Sequence, residues 1–126
     1  KLHCSYYSVM NGPAPQMSHH LGEFEQLLLF ALLRLGDEAS GTAVMDEIEQ
    51  RTGRAVSVGA NYTGFERLTG KGLVTSTFGP PSPRRGGKRP RLYILEPAGA
   101  DALARAWAAI DRMAEGMAAK LRVFGG

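Results

Sequence analysis

SVGANYTGFERLTGKGLVTSTFGPPSPRRGGKRPRLYIL, residues 57–95, sets a helix, a stop, a strand, a basic turn and a second strand in direct succession. Ser57 is a good N-cap, because its short side-chain oxygen can accept a hydrogen bond from an orphan first-turn N–H. It predicts a helix over residues 58–69, which GKG at residues 70–72 ends. At about 100° per residue, Val58, Asn61, Phe65 and Leu68 share one face, Ala60, Thr63 and Arg67 point the opposite way, and Tyr62 lies at the boundary. That outward face is nearly free of acids. LVTSTF (73–78) and RLYIL (91–95) are β-rich, and the prolines and glycines between them suit a hairpin loop longer than a tight two-residue turn. Inside the loop, PRRGGKRPR (83–91) places five cations, Arg84, Arg85, Lys88, Arg89 and Arg91, around a glycine pair.

Upstream, LGEFEQLLLFALLRL (21–35) repeats apolar residues at helical spacing, with Phe24, Leu27, Leu28, Ala31 and Leu35 on a broad stripe. Glu23 and Glu25 suit the positive end of that helix dipole. GDEAS breaks the pattern, and a second helix over roughly residues 41–52 is expected to bury Val44, Met45 and Ile48 and to end at Gly53. Downstream, a terminal helix begins at EPAGADAL and runs towards residue 122. Leu103, Trp107, Ile110, Met113 or Ala114, Met117 and Leu121 recur along one side of it as an apolar seam. Its partner is either the chain's own body or the same helix of a second subunit, and the shape of the seam favours a homodimer.

The charge is unevenly spread. Over 126 residues, 15 Lys+Arg face 12 Asp+Glu for a net charge of +3. Residues 21–50 carry one arginine against seven acids, and residues 51–91 carry nine bases against one acid. An acidic block followed by a basic one can make a cationic face that attracts a polyanion, although such a run is often only a solvated face. Cys4 is alone, which excludes an intrachain disulfide and fits a reducing cytoplasm. The longest strictly apolar run, LLLFALL, is far short of the roughly 20 residues that cross a bilayer, so no membrane partner is expected. Residues 1–20 read as a leader or flexible extension, with Met17 an alternative start.

Three helices, a hairpin and a terminal helix together predict a mainly α winged helix-turn-helix with a small β hairpin over residues 21–96, followed by a C-terminal dimerisation helix over residues 97–126. In such an arrangement the third helix enters the major groove and the hairpin tip lies over phosphates or reaches into the minor groove. LGEFEQLLLFALLRLGDEASGTAVMDEIEQRTGR, VSVGANYTGFERLTGKGLV and PSPRRGGKRPRLYILEPAGADAL, in this order, closely resemble the PadR-like family of bacterial transcriptional regulators, in its short form with one C-terminal helix. The resemblance spans about residues 21–105. It implies ligand-responsive repression by a dimer on a palindromic operator in double-stranded DNA. It also implies that Tyr62 and Thr63 belong to the recognition helix, that Gly72 starts the wing, that the cations of residues 84–91 with their glycine pair form its tip, and that Tyr93 is the aromatic of the return strand. Two residues depart from the family pattern: Asn61 stands where Val or Leu faces the core, and Gly64 where Thr or Ala is common.

The expected DNA-facing set is therefore Ser57, Ala60, Tyr62, Thr63, Arg67 and Lys71 with Arg84, Arg85, Lys88, Arg89 and Arg91. Wing cations chiefly neutralise phosphate and supply affinity; choice of sequence must come largely from the helix, where Thr63 and Arg67 best suit base edges. The expected dimerisation or effector set is Leu103, Trp107, Ile110, Met113, Met117 and Leu121, with Trp107 either a seam residue or one wall of a small-molecule effector pocket. The alternative is a winged-helix scaffold that uses these surfaces for a protein partner. Catalysis is poorly supported, because His3, His19, His20 and Cys4 all lie in the leader. No cofactor or metal is expected, and TGKG lacks the remainder of a phosphate loop and reads as a helix cap.

Overall fold

The computed structural model describes residues 20–81, 83 and 86–125. Helix α1, Glu23–Leu35, opens where the Glu25 carboxylate reaches back to accept from the Gly22 N–H at 3.0 Å, and it stops at Gly36. Strand β1, Ala39–Ser40, leads straight into helix α2, Gly41–Thr52. Ser40 caps α2 by accepting from the Ala43 N–H at 3.1 Å, and left-handed Gly53 (φ 75°) ends it. Helix α3, Val58–Gly70, starts on the Ser57 cap, whose Oγ accepts from the Ala60 N–H at 3.1 Å. The turn through Lys71 and Gly72 delivers the chain to strand β2, Val74–Phe78, and the hairpin returns as strand β3, Arg91–Leu95.

The sheet has three antiparallel strands in the order β1-β3-β2, one more than the expected hairpin. The extra strand is two residues of the GDEAS segment, pairing Ala39 with Tyr93 and Ser40 with Leu92. It covers the outer edge of β3, which would otherwise offer unpaired backbone groups.

One core holds these elements together. Leu28, Leu29 and Leu32 of α1, Val44 and Ile48 of α2, Phe65 and Leu68 of α3, Leu73 just before β2, and Val74 and Tyr93 of the sheet are buried against one another. Each large side chain so buried contributes about 1.5–3 kcal/mol relative to exposure. Phe65 stacks on Tyr93 with ring centroids 3.9 Å apart and planes 8° from parallel, so the inner face of α3 is fixed directly to the central strand. Gly64 lets the same helix approach α1: a Cβ there would lie 2.5 Å from Leu28 Cδ1. The unusual glycine is thus a close-approach residue.

The C-terminal segment differs from the single helix expected. Helix α4, Pro97–Ala114, is followed by a turn at Gly116 (φ 77°) and by a separate helix α5, Ala118–Gly125. Gly116 adopts the left-handed conformation that ends many helices, and the Met117 N–H donates to the Ala114 carbonyl at 2.9 Å. The first half of α4 is anchored, by Ala102 and Leu103 in the core, by Ala106 packed against it and by Gly99, which lies against the Leu73 carbonyl where no Cβ would fit.

Candidate nucleic-acid interface

Helix α3 turns Asn61, Gly64, Phe65 and Leu68 inward, and this sets the residues left outside. Ser57, Ala60, Tyr62, Thr63 and Arg67 are all exposed on it. Ser57 is also spent as the cap, so its hydroxyl lone pair serves the helix first. Val58, expected on the inner face, is 73% exposed. The reason is local: it stands in the first turn, at the rim of an open cleft of about 200 Å³ between the N-terminal ends of α2 and α3 and strand β3. Tyr62, Arg91 and Tyr93 line the same cleft. Burial pushes the Tyr93 phenol above its ordinary pKa of 10.0, with nearby Arg91 partly offsetting the rise, so at neutral pH it is a neutral group beside a guanidinium.

Across a short gap from this helix lies the hairpin. The Gly79 N–H donates to the Pro90 carbonyl at 2.8 Å and closes the base of its loop, while Gly86 and Gly87, both with positive φ, turn the tip. Lys88 and Arg89 are exposed, and Arg91 is half-buried. Arg84 and Arg85 lie outside the described residues, as do residues 1–19 of the leader. Arg89 folds back on the hairpin, its Nε donating to the Gly79 carbonyl at 2.9 Å and its Nη2 to the Phe78 carbonyl at 3.3 Å. Arg91 faces α3, with Nη1 3.8 Å from Glu66 Oε2.

Lys71 does not join this surface. Its Nζ sits 3.0 and 3.1 Å from the two Glu25 carboxylate oxygens and donates to the His20 carbonyl at 2.9 Å. Both side chains are largely covered, so the ammonium is committed to tying the C-terminal end of α3 to the start of α1. The expectation that Lys71 faces DNA is corrected: a cation with three such partners is a structural tie.

Leu103 needs a similar correction. At 2% exposure it belongs to the core of its own domain, because the anchored half of α4 lies against α1. Beyond it the seam is bare: Trp107 is 52% exposed, Ile110 62% and Met113 83%, with Met117 and Leu121 following across the Gly116 turn.

No protein-family model matches the chain, and no curated protein does. Solved structures do. A PadR family transcription regulator from hypervirulent Clostridium difficile superposes with a TM-score of 0.64 at 20% identity, over 79% of this chain and 99% of that one. A PadR family transcriptional regulator from Eggerthella lenta gives 0.62 at 19% identity, over 94% and 96%. This chain has the PadR-like fold. A winged-helix DNA-binding protein from STIV also superposes, with a TM-score of 0.61 at 14% identity over 75% of this chain and 95% of that one.

Within this PadR-like fold, three side chains matter that sequence reading passed over. Glu25 suits the helix dipole by its position in the sequence, and in the fold it also anchors Lys71 from 46 residues away. Glu66, the lone acid of residues 51–91, stands between α3 and the wing. Phe78 ends β2 half-exposed, with two guanidinium groups over its ring. Only Glu66 carried a signal, as the odd charge in a basic block. Among the described residues no three His, Cys, Asp or Glu side chains gather as metal ligands, and no helix is long and apolar enough to cross a membrane.

Proposed function

We propose that the chain is a DNA-binding transcriptional regulator of the PadR-like family, acting in the bacterial cytoplasm as a homodimeric repressor of a palindromic operator. The observation that carries this reading is the juxtaposition of two elements. The exposed face of α3, with Thr63 and Arg67, lies beside a hairpin bearing Lys88, Arg89 and Arg91. An acid-poor helix beside a cationic wing matches the negative, grooved surface of duplex DNA in both charge and shape. Thr63 and Arg67 would meet base edges, Arg67 bidentately on guanine, and the wing would grip phosphate.

The bare apolar row on α4 supports the dimer. Trp107, Ile110 and Met113 leave half or more of their side-chain surface uncovered by their own chain, and an exposed apolar row of this kind marks an association surface. Two recognition helices then reach successive turns of one duplex face. A small-molecule effector would act between the subunits by binding more tightly at one separation of these helices than at another, since only differential affinity shifts an equilibrium.

The deciding experiment is a gel-shift titration on the protein's own upstream DNA and a scrambled duplex, at several salt concentrations. Preferential binding with a steep salt dependence supports the regulator. Equal or absent binding to both duplexes, in a protein that captures a protein partner, favours the scaffold. For the dimer, Trp107→Glu should yield monomers by light scattering, and a fully dimeric variant removes Trp107 from the interface.

A further inference from the structure

Resting on the reading of the hairpin as a DNA-gripping wing, we propose that Phe78 is a positioning residue that holds Arg89 and Arg91 ready for phosphate. A single exposed phenylalanine needs no explanation by itself. Its surroundings give one. β2 turns only Val74 into the core and then exposes Thr75, Ser76, Thr77 and Phe78. The strand therefore ends on a large ring where its neighbours are small and polar. The Arg91 guanidinium carbon lies 5.2 Å from the ring centroid and that of Arg89 5.8 Å, both within cation–π range.

Strand register dictates the first contact. Val74 pairs with Leu95, Ser76 with Tyr93 and Phe78 with Arg91, and alternate residues share a sheet face. The face that begins in the core at Val74 and Tyr93 thus continues outward as the Phe78–Arg91 pair. A one-residue slip would throw the core residues out, so burial of Val74 holds Arg91 opposite the ring. The second contact is fixed from the backbone, because Arg89 donates to the carbonyls of Phe78 and Gly79.

Ring contact and phosphate contact are compatible. A guanidinium over an aromatic face keeps its N–H donors in its own plane, pointing past the ring edge. Arg89 commits two of its five donors to carbonyls, which leaves a further edge for an anion. An arginine held in this way has already surrendered rotamer freedom that a loose one would lose on binding. The ring raises affinity without itself touching DNA.

The test is fluorescence anisotropy with a labelled duplex of mixed sequence, across a salt series. It uses the full chain as wild type, Phe78→Leu, Phe78→Tyr, the double variant Arg89→Ala/Arg91→Ala, and that double variant carrying Phe78→Leu. Phe78→Leu should weaken binding roughly 3- to 10-fold, as expected when arginine side chains that the ring no longer holds must be ordered on binding, with the salt slope unchanged because both cations remain. Phe78→Tyr should restore binding, and in the double variant Phe78→Leu should add nothing. Thermal melting of each variant confirms that the fold is intact. Wild-type affinity in Phe78→Leu overturns the proposal, and so does an equal loss in both backgrounds, which would place the ring on the DNA. The wing reading fails separately, by an arginine double variant with unchanged affinity and slope.

Discussion

Gly59 and Gly64 sit on one helix and should answer alanine with opposite signs. At Gly64 the new methyl would lie 2.5 Å from Leu28 Cδ1 and 3.1 Å from Phe24 Cε2. Leu28 has no exposed surface, so its methyl cannot swing into solvent. Either packed neighbours shift or α3 moves off α1, and overpacking of this kind costs about 1–3 kcal/mol. Helix propensity returns about 1 kcal/mol. The net expectation is a loss of up to about 2 kcal/mol. At Gly59, by contrast, a Cβ meets nothing within 4 Å and the backbone is not left-handed, so alanine should gain about 0.5 kcal/mol. The two variants should therefore melt about 10 °C apart for a domain of this size, and their urea midpoints should move in opposite directions at constant m. Protein concentration must be held fixed, because the melting point of the proposed dimer would depend on it. If Gly64→Ala proves as stable as wild type, the close approach of α3 to α1 is not what the glycine serves.

Lys71→Ala should lose about 1–3 kcal/mol in urea titrations, since Glu25 would keep a covered carboxylate without its partner, while the salt slope of DNA binding stays as it was. A slope reduced by about one with stability unchanged would return Lys71 to the DNA surface. Glu66→Gln removes the acid that stands beside Arg91, and should tighten duplex binding by roughly 2- to 5-fold at low salt with the gain fading at high salt; equal or weaker binding would mean that Glu66 holds Arg91 in place more than it repels phosphate. Asn61→Val should raise the urea midpoint by about 1 kcal/mol equivalent, because the buried Oδ1 has no partner among the described residues and Nδ2 reaches the Gly41 carbonyl only at 3.4 Å; destabilisation would show that the amide is better satisfied than this geometry allows.

Local chemistry made most of the elements legible. Ser57, Gly53 and the GKG turn each act on backbone groups within a few residues, and the helix ends fall at or within a residue of those positions. Gly116 carries the same kind of signal, but the apolar spacing runs on unbroken across it and so suggests one continuous helix. The remaining differences are matters of distance along the chain. β1 is two residues long, too short for any periodicity, and exists only because β3 offers it an edge. Lys71 looked like one more base in a basic block; its partner is 46 residues away on another helix. Leu103 and Trp107 share one stripe and one hydrophobic character, and what separates them is where α1 stops covering α4, which no spacing records.

The inner face of the sheet links the parts that the proposed function needs. Starting in the core, Phe65 of α3 stacks on Tyr93; one step outward along β3, Arg91 reaches Glu66 of the same helix; opposite Arg91, Phe78 carries the wing arginines. Helix and wing are thus joined by a stacked ring pair and an ion pair, on strands whose register is set by buried Val74. Elements joined in this way move together. On the proposed reading, a switch between binding states cannot come cheaply from bending the wing against α3, because that would unstack Phe65 from Tyr93 inside the core. The softer coordinate is the position of one such unit relative to its copy, controlled where α4 leaves the core after Ala106 and presents Trp107 and Ile110 to a partner. Substitutions beyond Ala106 should then change operator preference through the spacing of two rigid units, whereas substitutions at Arg91 or Phe78 change the grip of each one.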